Sequence, residues 1–339
     1  MSPSMSRAVL VTGATGFVGS ALVPELARAG YRVHALARAG SERSGLEGCG
    51  VEWHAGDVED AGSLARAFAG VARESGGAAP WLVHNAACIS YRTRDRDVQW
   101  RVNVEGTRRV LAAARRAGVE RAVHVSSVVA VGFARAGETL DEDAPLRGAG
   151  LRLDYVETKR AAEELALEHA AELDLRVVNP AAVFGPSSRP SNSERFLRAV
   201  RRRALGPLAA PGGMDIVGLA DVAAGIRLAL ERGRAGRRYI LSESHRSALA
   251  LARSAARLFG VRGPRAAFPR WAWSLLVAGA RAADRVRPLE LMTPQALCML
   301  GLTFRFDSTR ARTELGWSPA PFDGVLAATV AALSAAERP

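Results

Sequence analysis

An apolar run at 8–12 (AVLVT) breaks into Gly13-Ala14-Thr15-Gly16-Phe17-Val18-Gly19, and a helical pattern follows at once. Few architectures accommodate that order. Three glycines at this spacing permit a tight turn, close approach of the backbone to a bound group, and close packing of helix on strand. The helix N-terminus then points its free N–H groups at whatever negative charge sits in the turn. The sequence therefore reads as a pyrophosphate cradle lined by Gly13, Thr15, Gly16, Phe17, Val18 and Gly19. At the end of the second apolar run stands Ala37-Arg38-Ala39-Gly40-Ser41, with an arginine where a carboxylate would bind a ribose 2′-hydroxyl. A guanidinium there pairs with a 2′-phosphate instead. NADP(H) is the preferred cofactor on this reading, with NAD(H) left open.

The rest of the first half repeats the same rhythm. Short β-branched runs at 32–37 (RVHALA), 81–86 (WLVHNA), 122–127 (AVHVSS) and 175–180 (LRVVNP) alternate with helical stretches at 19–29, 97–117 and 155–173. Strands separated by helices of that length form right-handed crossovers and a parallel sheet covered on both faces. The expected fold class is α/β: a doubly wound parallel sheet of Rossmann type with a smaller, mainly helical C-terminal substrate lobe. Residues 1–185 are expected to form the NAD(P)-binding domain. Residues 186–339 are expected to form the lobe, interleaved with the last strands and helices of the sheet.

Composition narrows the partners. Hydrophobic residues at 48% and charged residues at 24% describe an ordinary globular chain rather than a disordered one. The net charge of +12 favours acidic ligands, but the densest basic run, Arg201-Arg202-Arg203, lacks the interleaved aromatics of a nucleic-acid surface. No nucleic acid is expected. Three cysteines without a CxxC pair support neither a disulfide framework nor a metal site. The N-terminus carries no leader pattern, so the expected location is the cytoplasm. The stretch 271–283 (WAWSLLVAGARAA) falls short of the roughly 20 residues that a bilayer span requires. It reads as a buried or lid-forming helix in preference to an interfacial anchor.

Lys159 is the only lysine among 46 basic residues, and it lies four positions after Tyr155, one of four tyrosines. Residues i and i+4 share a helix face. An ammonium beside the phenol should favour phenolate and lower a pKa of about 10 toward neutrality, making Tyr155 a usable acid/base. Arginine, a planar fork, would not supply the same compact point charge. The run AVHVSS ends in two serines whose side chains should face opposite ways. Either Ser126 or Ser127 could bind a substrate oxygen at the carboxyl edge of the sheet.

These segments, with GDVED at 56–60, HNAA at 84–87, VNVEGT at 102–107, HVSSVVAVG at 124–132, NPAAVFGP at 179–186 and FDSTRARTELGWSP late in the chain, resemble the extended short-chain dehydrogenase/reductase superfamily of NAD-dependent epimerase/dehydratase type. The resemblance spans nearly the whole chain. It implies Ser127, the serine five residues before Gly132, together with Tyr155 and Lys159 as the catalytic set, and Asn103 in support. It places Asp57 and Val58 against adenine, Ala86 near the ribose with Asn85 and Ala87 also on the cofactor, and Pro180, Ala182 and Val183 on the nicotinamide side. Ser127, Tyr155 and Asn192 are expected to meet the substrate. A homodimer through helices flanking the sheet is suggested as well.

Arg38 and VVNPAAVFGP look like the dihydroflavonol reductase and 3β-hydroxysteroid dehydrogenase branch. The expected reaction is reversible reduction of a ketone or aldehyde on an apolar small molecule of steroid, polyketide or long-chain type. Phe268, Trp271, Trp273 and Leu275 give the lobe its apolar character, against few diphosphate clamps beyond Arg189, Arg195 and Arg198. A nucleotide-sugar epimerase or dehydratase is the alternative. A non-catalytic NADP-sensing protein on the same fold is the second.

Overall fold

The computed structural model describes residues 7–75, 79–135, 137–145, 151–290 and 292–336. β1 (Ala8–Thr12) is buried along its whole length, as a strand covered on both faces must be. Its side chains divide by alternation. Val9 and Val11 enter one apolar cluster, with Leu22, Leu26 and Ile226; Ala8 and Leu10 enter another, with Leu64, Phe68 and Leu111.

Around β1 stand β2 (Arg32–Ala37) and β3 (Glu52–Ala55) on one side, and β4 (Trp81–His84), β5 (Arg121–Val125), β6 (Leu175–Pro180) and a last strand, Arg238–Leu241, on the other. All seven run parallel. The chain winds outward from β1 through β2 and β3, then returns to start again at β4. That reversal opens a crevice at the carboxyl ends of β1 and β4, where α/β sheets bind their ligands. The sheet is of the Rossmann type.

Two strands escape a reading by apolar runs. β3 (EWHA) is polar and only partly buried at the sheet edge, and the strand Arg238–Leu241 (RYIL) is brought back from the second half of the chain. The runs WLVHNA and AVHVSS yield shorter strands than their lengths suggest, ending at His84 and Val125. The helical stretch at 97–117 forms over 96–116, with a π-helical segment at Trp100–Glu105 in its middle.

Beyond residue 186 the described chain is mainly helical, with a three-stranded sheet made of Ala182–Phe184, Gly213–Gly218 and Ser244–Ser247. The apolar stretch at 271–283 lies within the helix Arg270–Val286, but it is not buried. Of that helix only Trp273 is enclosed, while Trp271 and Leu275 are 71% and 65% exposed. Among the described residues, no helix is long and apolar enough to cross a membrane.

Candidate active site

The crevice begins at the glycine turn. Gly13 holds φ at +69°, and a Cβ there would lie 2.7 Å from the Ala86 nitrogen, across the gap between β1 and β4. At Gly19 a Cβ would meet the carbonyl oxygens of Gly13 and Ala14, each at 2.3 Å. Only glycine lets helix Phe17–Arg28 press this closely on the turn. That helix starts after Gly16 with no side-chain cap, so its first N–H groups face the crevice without a protein side chain to satisfy them. The cradle, its aim and its uncapped donors fit the pyrophosphate of a dinucleotide.

The walls of the cradle are tied together. Thr12 Oγ1 accepts from the backbone N–H groups of Asn85 and Ala86, each at 3.2 Å, and Asn85 Nδ2 donates to Gly13 O at 3.1 Å. Arg38 is exposed at the carboxyl end of β2. Asp57 caps the turn after β3 by accepting from the Glu59 N–H, and Val58 is buried against Gly106. Thr15, Phe17, Val18, Ala182 and Val183 are all partly exposed, whereas Pro180 is buried at the end of β6.

Across the crevice, the helix Asp154–Glu168 presents Tyr155, Lys159 and Glu163 on three successive turns, all buried. Tyr155 has Ser127 as a neighbour. Burial drives the phenol well above its ordinary pKa, with the neighbouring Tyr91 and Cys88 adding to the rise and the Ser127 hydroxyl opposing it. Lys159 Nζ donates to Val125 O, the last carbonyl of β5, at 2.9 Å. Burial lowers its pKa to about 8, against the pull of Glu163. In this structure, then, burial and not the lysine charge expected to lower it sets the phenol's pKa. Tyr155 is held as a neutral acid, and the ammonium is the group brought near neutrality.

Ser127 does not end a strand. It caps the short helix Val128–Val131, accepting from the Val129 N–H at 3.4 Å. Ser126 turns the other way, toward Glu163. Alternation thus separates the two serines as their neighbouring positions require, and Ser127 is the one beside the phenol.

Asn103 lies in the π-helical segment, 2% exposed, with every polar atom engaged. Its Oδ1 accepts from the Cys88 N–H at 2.7 Å, and its Nδ2 donates to Cys88 O at 3.0 Å and to Thr158 Oγ1 at 3.1 Å. It fastens the loop after β4 to the helix of Tyr155. Asn192 is exposed at the start of the helix Asn192–Arg201 and accepts from Arg195 at 2.5 Å; no contact joins it to Tyr155.

Tyr91 is the neighbour that motif reading passes over. Its ring meets Tyr155 edge to face at 6.0 Å between centroids, and Arg195 bears on it electrostatically. A lone aromatic in a loop carries no spacing signal, and its being one of four tyrosines is the only hint in the sequence. Behind Lys159, Glu163 accepts from Asn179 Nδ2 at 2.6 Å and pairs with Arg238 at 2.9 Å. The described residues hold no cluster of metal-ligating side chains.

The model of the NAD dependent epimerase/dehydratase family matches residues 9–242. Sterol demethylase protein B of Methylococcus capsulatus is 36% identical over 336 residues, covering 95% of this chain and 97% of that protein. The 4-hydroxy-2-methyl-3-oxo-4-farnesyl-3,4-dihydroquinoline-1-oxide ketoreductase of Stigmatella aurantiaca is 29% identical over 324 residues, 91% of each chain. Among solved structures, gox2253 aligns with a TM-score of 0.85 at 30% identity, covering 98% of this chain and 99% of that one.

Proposed function

The chain belongs to the NAD dependent epimerase/dehydratase family and is an oxidoreductase of short-chain dehydrogenase/reductase type, and from that premise we propose that it reduces a ketone or aldehyde on an apolar substrate, preferring NADPH. The observation that carries the reading is the buried, neutral Tyr155 phenol beside Ser127, with Lys159 one helical turn away, at the carboxyl edge of the sheet.

The glycine turn, Asn85, Ala86 and Ala87 would hold the dinucleotide, with Arg38 meeting a 2′-phosphate, Asp57 and Val58 the adenine, and Pro180, Ala182 and Val183 the nicotinamide side. When bound, the nicotinamide supplies the hydride. Tyr155 Oη donates its proton to the carbonyl oxygen as negative charge develops there, and Ser127 Oγ donates to the same oxygen and orients it. Lys159 gives one of its three N–H donors to Val125; the others are available to ribose hydroxyls and to the phenolate formed when the proton leaves. Because burial brings its pKa to about 8, Lys159 can also return a proton to Oη near neutral pH. Asn103 acts as a positioning residue.

An apolar substrate is supported by the lobe's composition and by two relatives named for a sterol and for a farnesyl-bearing quinoline oxide. Steroid-, polyketide- and long-chain-type carbonyl compounds form the class to test. In Tyr155→Phe, NADPH-dependent ketone reduction should fall by about a thousandfold, with melting temperature and NADPH affinity retained. Residual turnover above about a tenth of the native value would overturn the assignment. Conversion of a UDP-sugar by the native protein without net NADPH consumption would move it to epimerase chemistry.

A further inference from the structure

The helix Arg270–Val286 exposes a stripe that no part of the described chain covers. Trp271, Leu275, Ala278, Ala282 and Val286 recur at intervals of three and four, so they lie on one face, and all five are exposed. Trp271 is 71%, Leu275 65% and Val286 88% exposed, values unusual for apolar side chains of this size. The opposite face is the one that docks, with Trp273 buried and its Nε1 donating to Leu297 O at 3.0 Å. The helix is therefore correctly seated on the protein while its apolar stripe faces outward.

Charge along the stripe has one sign. Arg270, Arg281 and Arg285 follow its edge at helical spacing and Arg287 follows its end; among the described residues none of the four makes an ion pair. The nearby acids are already engaged. Asp284 accepts from Thr93 Oγ1 at 3.1 Å and from the Leu289 N–H at 2.8 Å, and Glu290 is paired with Arg92 and Arg94. The same face of a second copy, packed against this one, would bring Arg270, Arg281 and Arg285 again and only carboxylates that are already engaged. An anionic surface offers the complement.

We propose that this helix lies in the interface of a bilayer containing anionic lipids, with the Trp271–Leu275–Val286 stripe in the acyl boundary and Arg270, Arg281 and Arg285 among the headgroups. A tryptophan at one end of the stripe suits the headgroup level. At 17 residues the helix lies on the membrane and does not cross it. The placement matters for the site. Thr93 bonds Asp284, Arg92 bonds Glu290, and Thr293 Oγ1 donates to Tyr91 O at 2.6 Å, so the helix and the segment after it are stitched to the loop whose Tyr91 ring abuts Tyr155. Docking brings that loop to the lipid surface, the side from which an apolar molecule would reach Tyr155 without crossing water.

The test is flotation of the purified full chain with phosphatidylcholine vesicles containing about one phosphatidylglycerol in three, against vesicles of phosphatidylcholine alone. The native chain should float with the anionic vesicles, with binding weakened by raised salt and a blue shift in tryptophan emission. Leu275→Glu should lower the partition coefficient about tenfold or more, and Arg281→Glu with Arg285→Glu by a similar factor, without changing the melting temperature, because these side chains are exposed. Absence of native binding to anionic vesicles would overturn the proposal, as would Leu275→Glu binding like the native chain. A dimer in sedimentation equilibrium that Leu275→Glu dissociates would assign the stripe to a second copy instead.

Discussion

Lys159 is buried as a cation, and that burial has a measurable cost. Its pKa falls from 10.5 to about 8, which at roughly 1.4 kcal/mol per unit makes the charged form about 3 kcal/mol less stable in the folded chain than in water. The folded-state value lies below the unfolded one, so the cost is fully present where both states are protonated, below about pH 8. Between about pH 8 and 10.5 the unfolded chain binds more protons than the folded one, and stability rises with pH. Lys159→Met removes the charge and keeps the length of the side chain. It also strips Val125 O of its donor, a loss of about 1 kcal/mol, leaving a net gain near 2 kcal/mol. For a chain of this size that corresponds to a rise of about 3 °C in melting temperature at pH 7. Differential scanning calorimetry of native and variant chains from pH 6.5 to 10 measures both parts. The variant should be more stable at neutral pH, should lose that advantage as pH climbs, and should have no reductase activity at any pH. A variant less stable than the native chain at pH 7, or an advantage independent of pH, would refute the claim that desolvation of the ammonium is the dominant energetic fact at this position.

Two further substitutions probe the cradle. Arg38→Asp should weaken NADPH binding by about ten- to a hundredfold and leave NADH binding little changed, read by calorimetric titration; an unaltered ratio would remove Arg38 from the 2′-phosphate. Gly19→Ala drives a methyl to 2.3 Å from two backbone oxygens and should abolish dinucleotide binding, with a loss of about 2 kcal/mol or more of stability in denaturant unfolding. Gly324→Ala, where nothing lies within 4 Å, should be neutral or slightly stabilising in the same measurement.

The sheet was legible where apolar runs are continuous. β1, β2 and β6 have the bounds of AVLVT, RVHALA and LRVVNP because strands covered on both faces read as near-continuous apolar runs, which the buried polar side chains of His34, Arg176 and Asn179 interrupt only singly. β3 was not legible, since an edge strand with one open side tolerates Glu52 and His54 and leaves no periodic trace. The Tyr155–Lys159 spacing located two buried side chains on one helix face from sequence alone. Their energetics were not readable in that way. Spacing shows that an ammonium sits near a phenol, but which group's pKa moves, and in which direction, depends on how much water each has lost. The same limit applies to residues 271–283: hydropathy identifies an apolar stretch, but what covers it depends on the rest of the fold. Here five positions of the stretch and its continuation face outward.

The helix Asp154–Glu168 shows why the site takes the form it does. Tyr155, Lys159 and Glu163 follow one another at i, i+4 and i+8, and each is buried against the sheet. A carboxylate two turns below the phenol is not needed to hold a proton there, yet Glu163 is tied by Asn179 from β6 and by Arg238 from the edge strand. Glu163 raises the pKa of Lys159, and burial lowers it by more. Without Glu163 the ammonium would titrate still lower and lose its charge near neutrality. Without burial it would stay fully protonated and be a weaker acid toward the phenolate. The opposing effects leave the lysine near the midpoint, where a group can both stabilise a phenolate and reprotonate it. Arginine could not occupy that midpoint in any surroundings this fold provides, because its guanidinium does not titrate in proteins. In a chain that uses arginine at every other basic position, that is the physical reason for one lysine.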